Sequence, residues 1–178
     1  LAGGGGRATG GISPALIDAA CAVELVHTAS LVIDDLPCMD DAKTPRGRST
    51  THIAHGKRRA ILAGISLVSK AMRLLAAARD TDATTRIALV ASLARAVGPL
   101  GQSAGQDLAL HAPKTAASVE LEQDLKTGAL FVAGFEMLAL VQNLGPEENS
   151  RLARLGLLIS RVLPDGQLWR QDDVVAMS

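Results

Sequence analysis

Aromatic side chains are almost missing from this chain: two Phe, one Trp and no Tyr among 178 residues. A core of that composition has to be filled by Leu, Ala, Val, Ile and Met, and small side chains let helices approach closely. Cysteine is nearly as scarce. Cys21 and Cys38 make no disulfide framework and lack the paired spacing of a zinc site, which points to a reducing, cytoplasmic setting. Neither charge is in excess: 18 Lys and Arg cancel 18 Asp and Glu. No whole-molecule field therefore favours nucleic acid or an anionic membrane, and any phosphate binding must be local. The longest apolar stretch, Ala129 to Val141, carries Glu136 and falls short of a bilayer span, and no basic-then-apolar leader opens the chain, so no integral membrane segment is expected.

What is present fits one domain spanning residues 1–178, with 48% hydrophobic content to build a single core. The chain starts at Leu1 rather than Met, within a glycine-rich stretch without the Gly-Lys-Ser/Thr ending of a phosphate-binding loop, and reads as a fragment or an unusual start. Ser13-Pro14 is a good helix opening, and Ala15 to Ile33 has no internal Gly or Pro. Further helices are expected over Arg58 to Ala78, Ala83 to Val97, Ser118 to Leu144, and from Glu147 onward, separated by Gly98-Pro99 and Gly145-Pro146. Few segments alternate with period two. The fold class is all-α.

Chemistry concentrates in residues 34–48. Asp34-Asp35 and Asp40-Asp41 are two carboxylate pairs one short step apart, on the end of an apolar run. Four acids this close repel one another unless cations neutralise them, and oxygen-only ligands suit a hard divalent ion such as Mg2+. Asp34 and Asp41 are seven residues apart, about 20° from eclipsing on an ideal helix. Pro37 cannot donate to the Ile33 carbonyl, so a kink or bulge is expected that aims Asp34, Asp35 and Asp40 at one point. Lys43, Arg46 and Arg48 follow within reach of an anion that the metal brings, the two guanidinium groups being natural phosphate clamps.

These residues carry a resemblance. The stretch from His27 through Asp34-Asp35-Leu36-Pro37-Cys38-Met39-Asp40-Asp41, followed by Arg46-Gly47-Arg48 and His52, resembles the first aspartate-rich motif of trans-isoprenyl diphosphate synthases, in particular geranylgeranyl diphosphate synthases. Ala60-Ile61-Leu62-Ala63-Gly64, Gly105-Gln106-Asp107-Leu108 and Lys126-Thr127-Gly128-Ala129-Leu130 are similar to later segments of that family, in its order. The resemblance implies an isoprenoid synthase-type bundle of helices around an apolar pocket, here incomplete, and commonly a homodimer. It implies Mg2+-dependent joining of isopentenyl diphosphate to an allylic diphosphate, with geranylgeranyl diphosphate as the product. Asp34, Asp35 and Asp40 would hold metal, and Arg46 would contact diphosphate. His27 would lie near isopentenyl diphosphate, and Gln106, Lys126 and Thr127 near the departing diphosphate. Ala29, five residues before Asp34, would leave room for a long product where farnesyl-specific relatives tend to place an aromatic.

The likeness has gaps. Pro45 replaces the first arginine of the usual Arg-Arg-Gly, and the family's upstream Gly-Lys-x-x-Arg segment is missing. No Phe-Gln with a second aspartate cluster follows Gly156; Asp172-Asp173 lack a third partner, and Pro164 and Gly166 interrupt the helix. A family core cut at both ends is expected, with a tail from about Arg161 that is read in a shifted frame or belongs to a decayed gene. The alternative function is a non-catalytic member that pairs with an active synthase and modulates its product, as a heterodimer. A di-iron bundle built on Glu24-x-x-His27 is set aside, because a second Glu-x-x-His is lacking. On its own, Gln106-Asp107 reads equally well as a turn closure after Gly98-Pro99.

Overall fold

Ser13 caps the first helix as expected: its Oγ accepts the Leu16 N–H at 3.2 Å, and Pro14 takes the first helical position, where a missing N–H costs nothing. The computed structural model describes residues 12–42 and 49–162, and among them only helices and connecting turns occur. Helix α1 (Pro14–Asp34) buries Ala15, Ala19, Ala22, Val26 and Ala29, a stripe of helical period. After the short α2 (Thr51–His55), α3 (Lys57–Ala76) buries Ala60, Gly64, Ala71 and Leu75. The two stripes face each other. A Cβ at Gly64 would stand 2.7 Å from Ile33 Cδ1, so glycine is what lets α3 close on the end of α1.

Helix α4 (Ala83–Val97) is capped by Asp82, whose carboxylate accepts the Thr85 N–H at 2.7 Å and is held below its ordinary range by that bond. Then come α5 (Gln102–His111), α6 (Ala116–Gln123), α7 (Ala129–Val141) and α8 (Pro146–Val162). Helix α7 is the hub: it packs on α1, α4 and α8. Val26, Leu75, Leu89, Leu93 and Met137 are fully buried between these helices, and among the described residues no aromatic joins them. Their dense contacts do the work that rings do elsewhere.

The expected helices over 15–33, 58–78 and 83–97 are present within a residue or two. The expected Ser118 to Leu144 helix is present as one helical run over 116–141, but it is not α-helical throughout. It begins at Ala116, where Thr115 and Ser118 form a reciprocal capping box, and holds a single π-helical turn, Asp124–Gly128. Gln106 and Asp107 lie inside α5 and not in a turn. The apolar stretch that stood out in the sequence, Ala129–Val141, is not the longest: α1 is by length and composition apolar enough to cross a membrane. In this fold the small-residue stripe of α1 is covered by α3 and α7.

Candidate functional site

Helix α1 ends where the carboxylates begin. Proline restrains the residue before it and lacks an N–H, so the helix stops at Asp34 and does not merely kink, as had been expected. The chain then winds back on itself: Leu36 N–H donates to Ile33 O at 3.1 Å, Met39 N–H to Leu36 O at 2.8 Å, and Asp40 N–H to Asp34 O at 2.9 Å. Asp41, with φ of 48°, turns the chain away, and buried Leu36 pins the turn to the core. The turn brings the backbone of Asp40 against that of Asp34.

Across from this turn stands Lys126. Its Nζ lies 3.3 Å from Asp34 Oδ2 and 3.8 Å from Asp40 Oδ2. Asp34 is the enclosed member, its side chain 18% exposed against 49% for Asp40. Burial pushes the Asp34 carboxyl above its ordinary value, the Lys126 ammonium pulls it back, and Asp40 and Asp35 repel its charge. Acids at a helix C-terminus are also opposed by the helix dipole, and the ammonium offsets this. The expected convergence of Asp34, Asp35 and Asp40 on one point is not what the structure has: among the described residues no three His, Cys, Asp or Glu side chains are grouped to hold a metal ion. A lysine bridges two of the acids instead, because it relieves the same repulsion.

Lys126 reaches this point from the π-helical turn, a rare geometry often found at functional sites. The turn is braced by α5. Gln102 Nε2 donates to Lys126 O at 3.3 Å, and a Cβ on Gly105 would fall 2.5 Å from Lys126 N. Beside Gly105, the amide of Gln106 is buried at both Nε2 and Oε1, and neither atom has a partner within the described residues. Such an amide is a built donor and acceptor for a polar ligand. Thr127, half-buried, follows Lys126 in the turn.

His27 lies on α1, seven residues before Asp34 and so near the same helix face; its ring is half-buried and its backbone carbonyl accepts the Ser30 hydroxyl at 2.8 Å. Ala29 is buried. Arg46, with Lys43, Pro45 and Arg48, lies outside the described residues, as do Asp172 and Asp173. The structure thus brings Asp34, Asp40 and Lys126 together, with Gly105 and Gln106 against the turn that carries Lys126. Sequence reading had missed Gly105 and Gln102 as its supports; a glycine inside a short helix was the available signal.

A family model described as polyprenyl synthetase matches residues 7–162, most of the chain. The chain belongs to the polyprenyl synthetase family. Among its relatives in that family, a geranylgeranyl diphosphate synthase of Pantoea ananas is 42% identical over 148 residues, covering 80% of this chain and 48% of the relative. The heterodimeric geranylgeranyl pyrophosphate synthase large subunit 1, chloroplastic, of Arabidopsis thaliana is 36% identical over 166 residues, covering 86% and 45%. An FPP/GFPP synthase of Zymomonas mobilis shares the fold of this polyprenyl synthetase chain with a TM-score of 0.78 at 32% identity, over 82% of this chain and 55% of that one. The chain spans about half the length of the curated relatives it matches. The all-helical bundle is therefore the fold of the family, as the sequence had implied.

Proposed function

We propose that this chain provides one wall of a prenyl transfer site, at which isopentenyl diphosphate is joined to an allylic diphosphate to make geranylgeranyl diphosphate. One observation carries the reading: Lys126, on the π-helical turn, is held between Asp34 and Asp40. An ammonium flanked by two carboxylates, with an unpartnered buried amide at Gln106 on the helix that braces its turn, matches the needs of a metal-bound diphosphate.

The donor set fits Mg2+. Asp34, Asp35 and Asp40 offer only hard oxygen ligands, and Mg2+ keeps several waters and takes substrate phosphate oxygens, so it does not require a closed protein cage. When bound there, Mg2+ supplies charge neutralisation for the leaving diphosphate. The chain's own residues do the rest. Lys126 and the Thr127 hydroxyl donate to the departing diphosphate, joined by the Gln106 amide, while Arg46 contacts the diphosphate from the segment after Asp41. His27 lies beside isopentenyl diphosphate. The apolar α1 and α7 exclude water from the allylic cation. The exposed, unpaired Cys21 and Cys38 suit a reducing compartment such as the cytosol.

A second reading has its own support. One of the relatives is the large subunit of a heterodimeric synthase. In that reading the chain pairs with an intact family member and alters its product. Purified chain with Mg2+, labelled isopentenyl diphosphate and each allylic diphosphate, with and without an intact synthase, separates the two. Turnover by the chain alone supports the first; turnover only with a partner, with a changed product length, supports the second. No turnover alone and an unchanged partner would overturn both.

A further inference from the structure

The π-helical turn that carries Lys126 is tied at both ends to the last turn of α8. At its first residue, Asp124, the Arg161 guanidinium makes a two-pronged bond: Nε to Oδ1 at 2.9 Å and Nη2 to Oδ2 at 2.6 Å. The third guanidinium nitrogen, Nη1, lies 3.0 Å from Glu120 Oε1, one helical turn earlier on α6. At the last residue of the turn, Gly128, a Cβ would meet Leu157 Cδ1 at 2.9 Å and the fully buried Ser160 Oγ at 3.1 Å. Gln123 Nε2, just before the turn, donates to Ser160 O at 3.4 Å. Residues 157, 160 and 161 of α8 thus grip both sides of a five-residue segment.

This grip bears on the direction of Lys126. A π-helical turn absorbs one extra residue, and if it relaxed to regular α-helix the two flanking helices would rotate against each other by about 100°. The contact at Gly128 registers α7 to α8, and the Arg161–Asp124 fork registers α6 to the same turn of α8. Relaxation would have to break one of them. We propose that Arg161 is a positioning residue: its bidentate hold on Asp124 keeps the turn wound so that the Lys126 ammonium faces Asp34 and Asp40. Arg161 does not touch the substrate. The proposal rests on the reading of Lys126 as a diphosphate contact.

The test measures binding of inorganic diphosphate, in the presence of Mg2+, to the full chain by titration calorimetry, with melting followed by circular dichroism. Arg161→Gln and Asp124→Asn each weaken diphosphate binding by about tenfold, the loss of one charge-assisted contact. Arg161→Lys, which keeps the charge but not the fork, falls between them and the unmodified chain. In a Lys126→Gln background, Arg161→Gln causes no further loss, because the arginine acts through that lysine. Asp124→Asn, nearly isosteric, carries the test if Arg161→Gln does not fold. Equal losses with and without Lys126 would mark a merely structural role and overturn the proposal, as would unchanged binding by the variants. An unmodified chain that binds no diphosphate would overturn the reading of Lys126 and this proposal with it.

Discussion

The ammonium of Lys126 and the carboxylate of Asp34 meet at 3.3 Å across the fold, although they are 92 positions apart in the chain (126 minus 34). Lys126 also reaches Asp40, so a single cation holds two acids that otherwise repel. Lys126→Gln removes that cation and, in an active assembly, lowers kcat by about 100-fold or more, the scale of losing one preorganised donor to a developing anion. Lys126→Arg retains part of the activity. Steady-state assays of both variants check this, and a Lys126→Gln enzyme with normal kcat would refute it.

Asp34 makes a stability prediction whose sign can be worked out. Burial raises its carboxyl above the ordinary 3.8 even with Lys126 beside it, so the folded state disfavours the ionised form more than the unfolded state does. Its contribution to stability is fully present below pH 3.8 and is lost as pH rises through the raised folded value. Asp34→Asn stays neutral throughout. In metal-free buffer the variant therefore melts higher than the unmodified chain near neutral pH, and the gap closes in acid. A gap that widened in acid would contradict the burial argument.

Gly105→Ala is expected to do more harm than a glycine-to-alanine change inside a helix normally does. The added Cβ would lie 2.5 Å from Lys126 N and 2.8 Å from Lys126 Cα, and both are backbone atoms that cannot swing aside. Overpacking of this kind costs about 1–3 kcal/mol, where an unobstructed helix site would gain from alanine. Urea denaturation gives the magnitude.

Glu136 is the single acid of apolar α7, and its Oε2 accepts from Ser92 Oγ at 2.7 Å and from Arg95 Nη2 at 2.5 Å. Because Ser92 is buried, Glu136→Ala strands its hydroxyl and costs about 1–3 kcal/mol. Glu136→Gln, which can still accept, costs less. Parallel denaturant curves rank the two.

Ala29 is 2% exposed, so a ring placed there has to find room. Ala29→Phe costs about 1–3 kcal/mol by overpacking and, in any active form, shortens the product. Chromatography of labelled products from an active assembly checks the second half, and an unchanged chain length would refute the role given to Ala29.

Much of the helical skeleton was legible because its signals are local. Ser13-Pro14 and the Gly98-Pro99 break start and stop helices through bonds that span three or four residues, and they act as their chemistry dictates. The acid cluster was legible for the same reason: four carboxylates within eight residues create a repulsion that any fold must answer. Motifs kept in one family order carry the family in the sequence itself.

The answer to that repulsion was not local. That Lys126 would meet Asp34 and Asp40 depended on how far the chain unwinds after Asp34, and on where α7 sits against α1. The π-helical turn in the expected helix over 118–144 had only a weak local signal, the poor helix formers Thr127 and Gly128, since Asp124, Leu125 and Lys126 are all acceptable in a plain helix. The π-helical turn exists among contacts from α5 and α8, made by Gly105, Ser160 and Arg161. Sequence alone determined most of the long helices, the family and the placing of charge at the end of α1, because these rest on near-neighbour bonds and residue chemistry. Tertiary packing decided which cation meets that charge, because a contact between residues 34 and 126 is set by the mutual register of three helices and not by either segment.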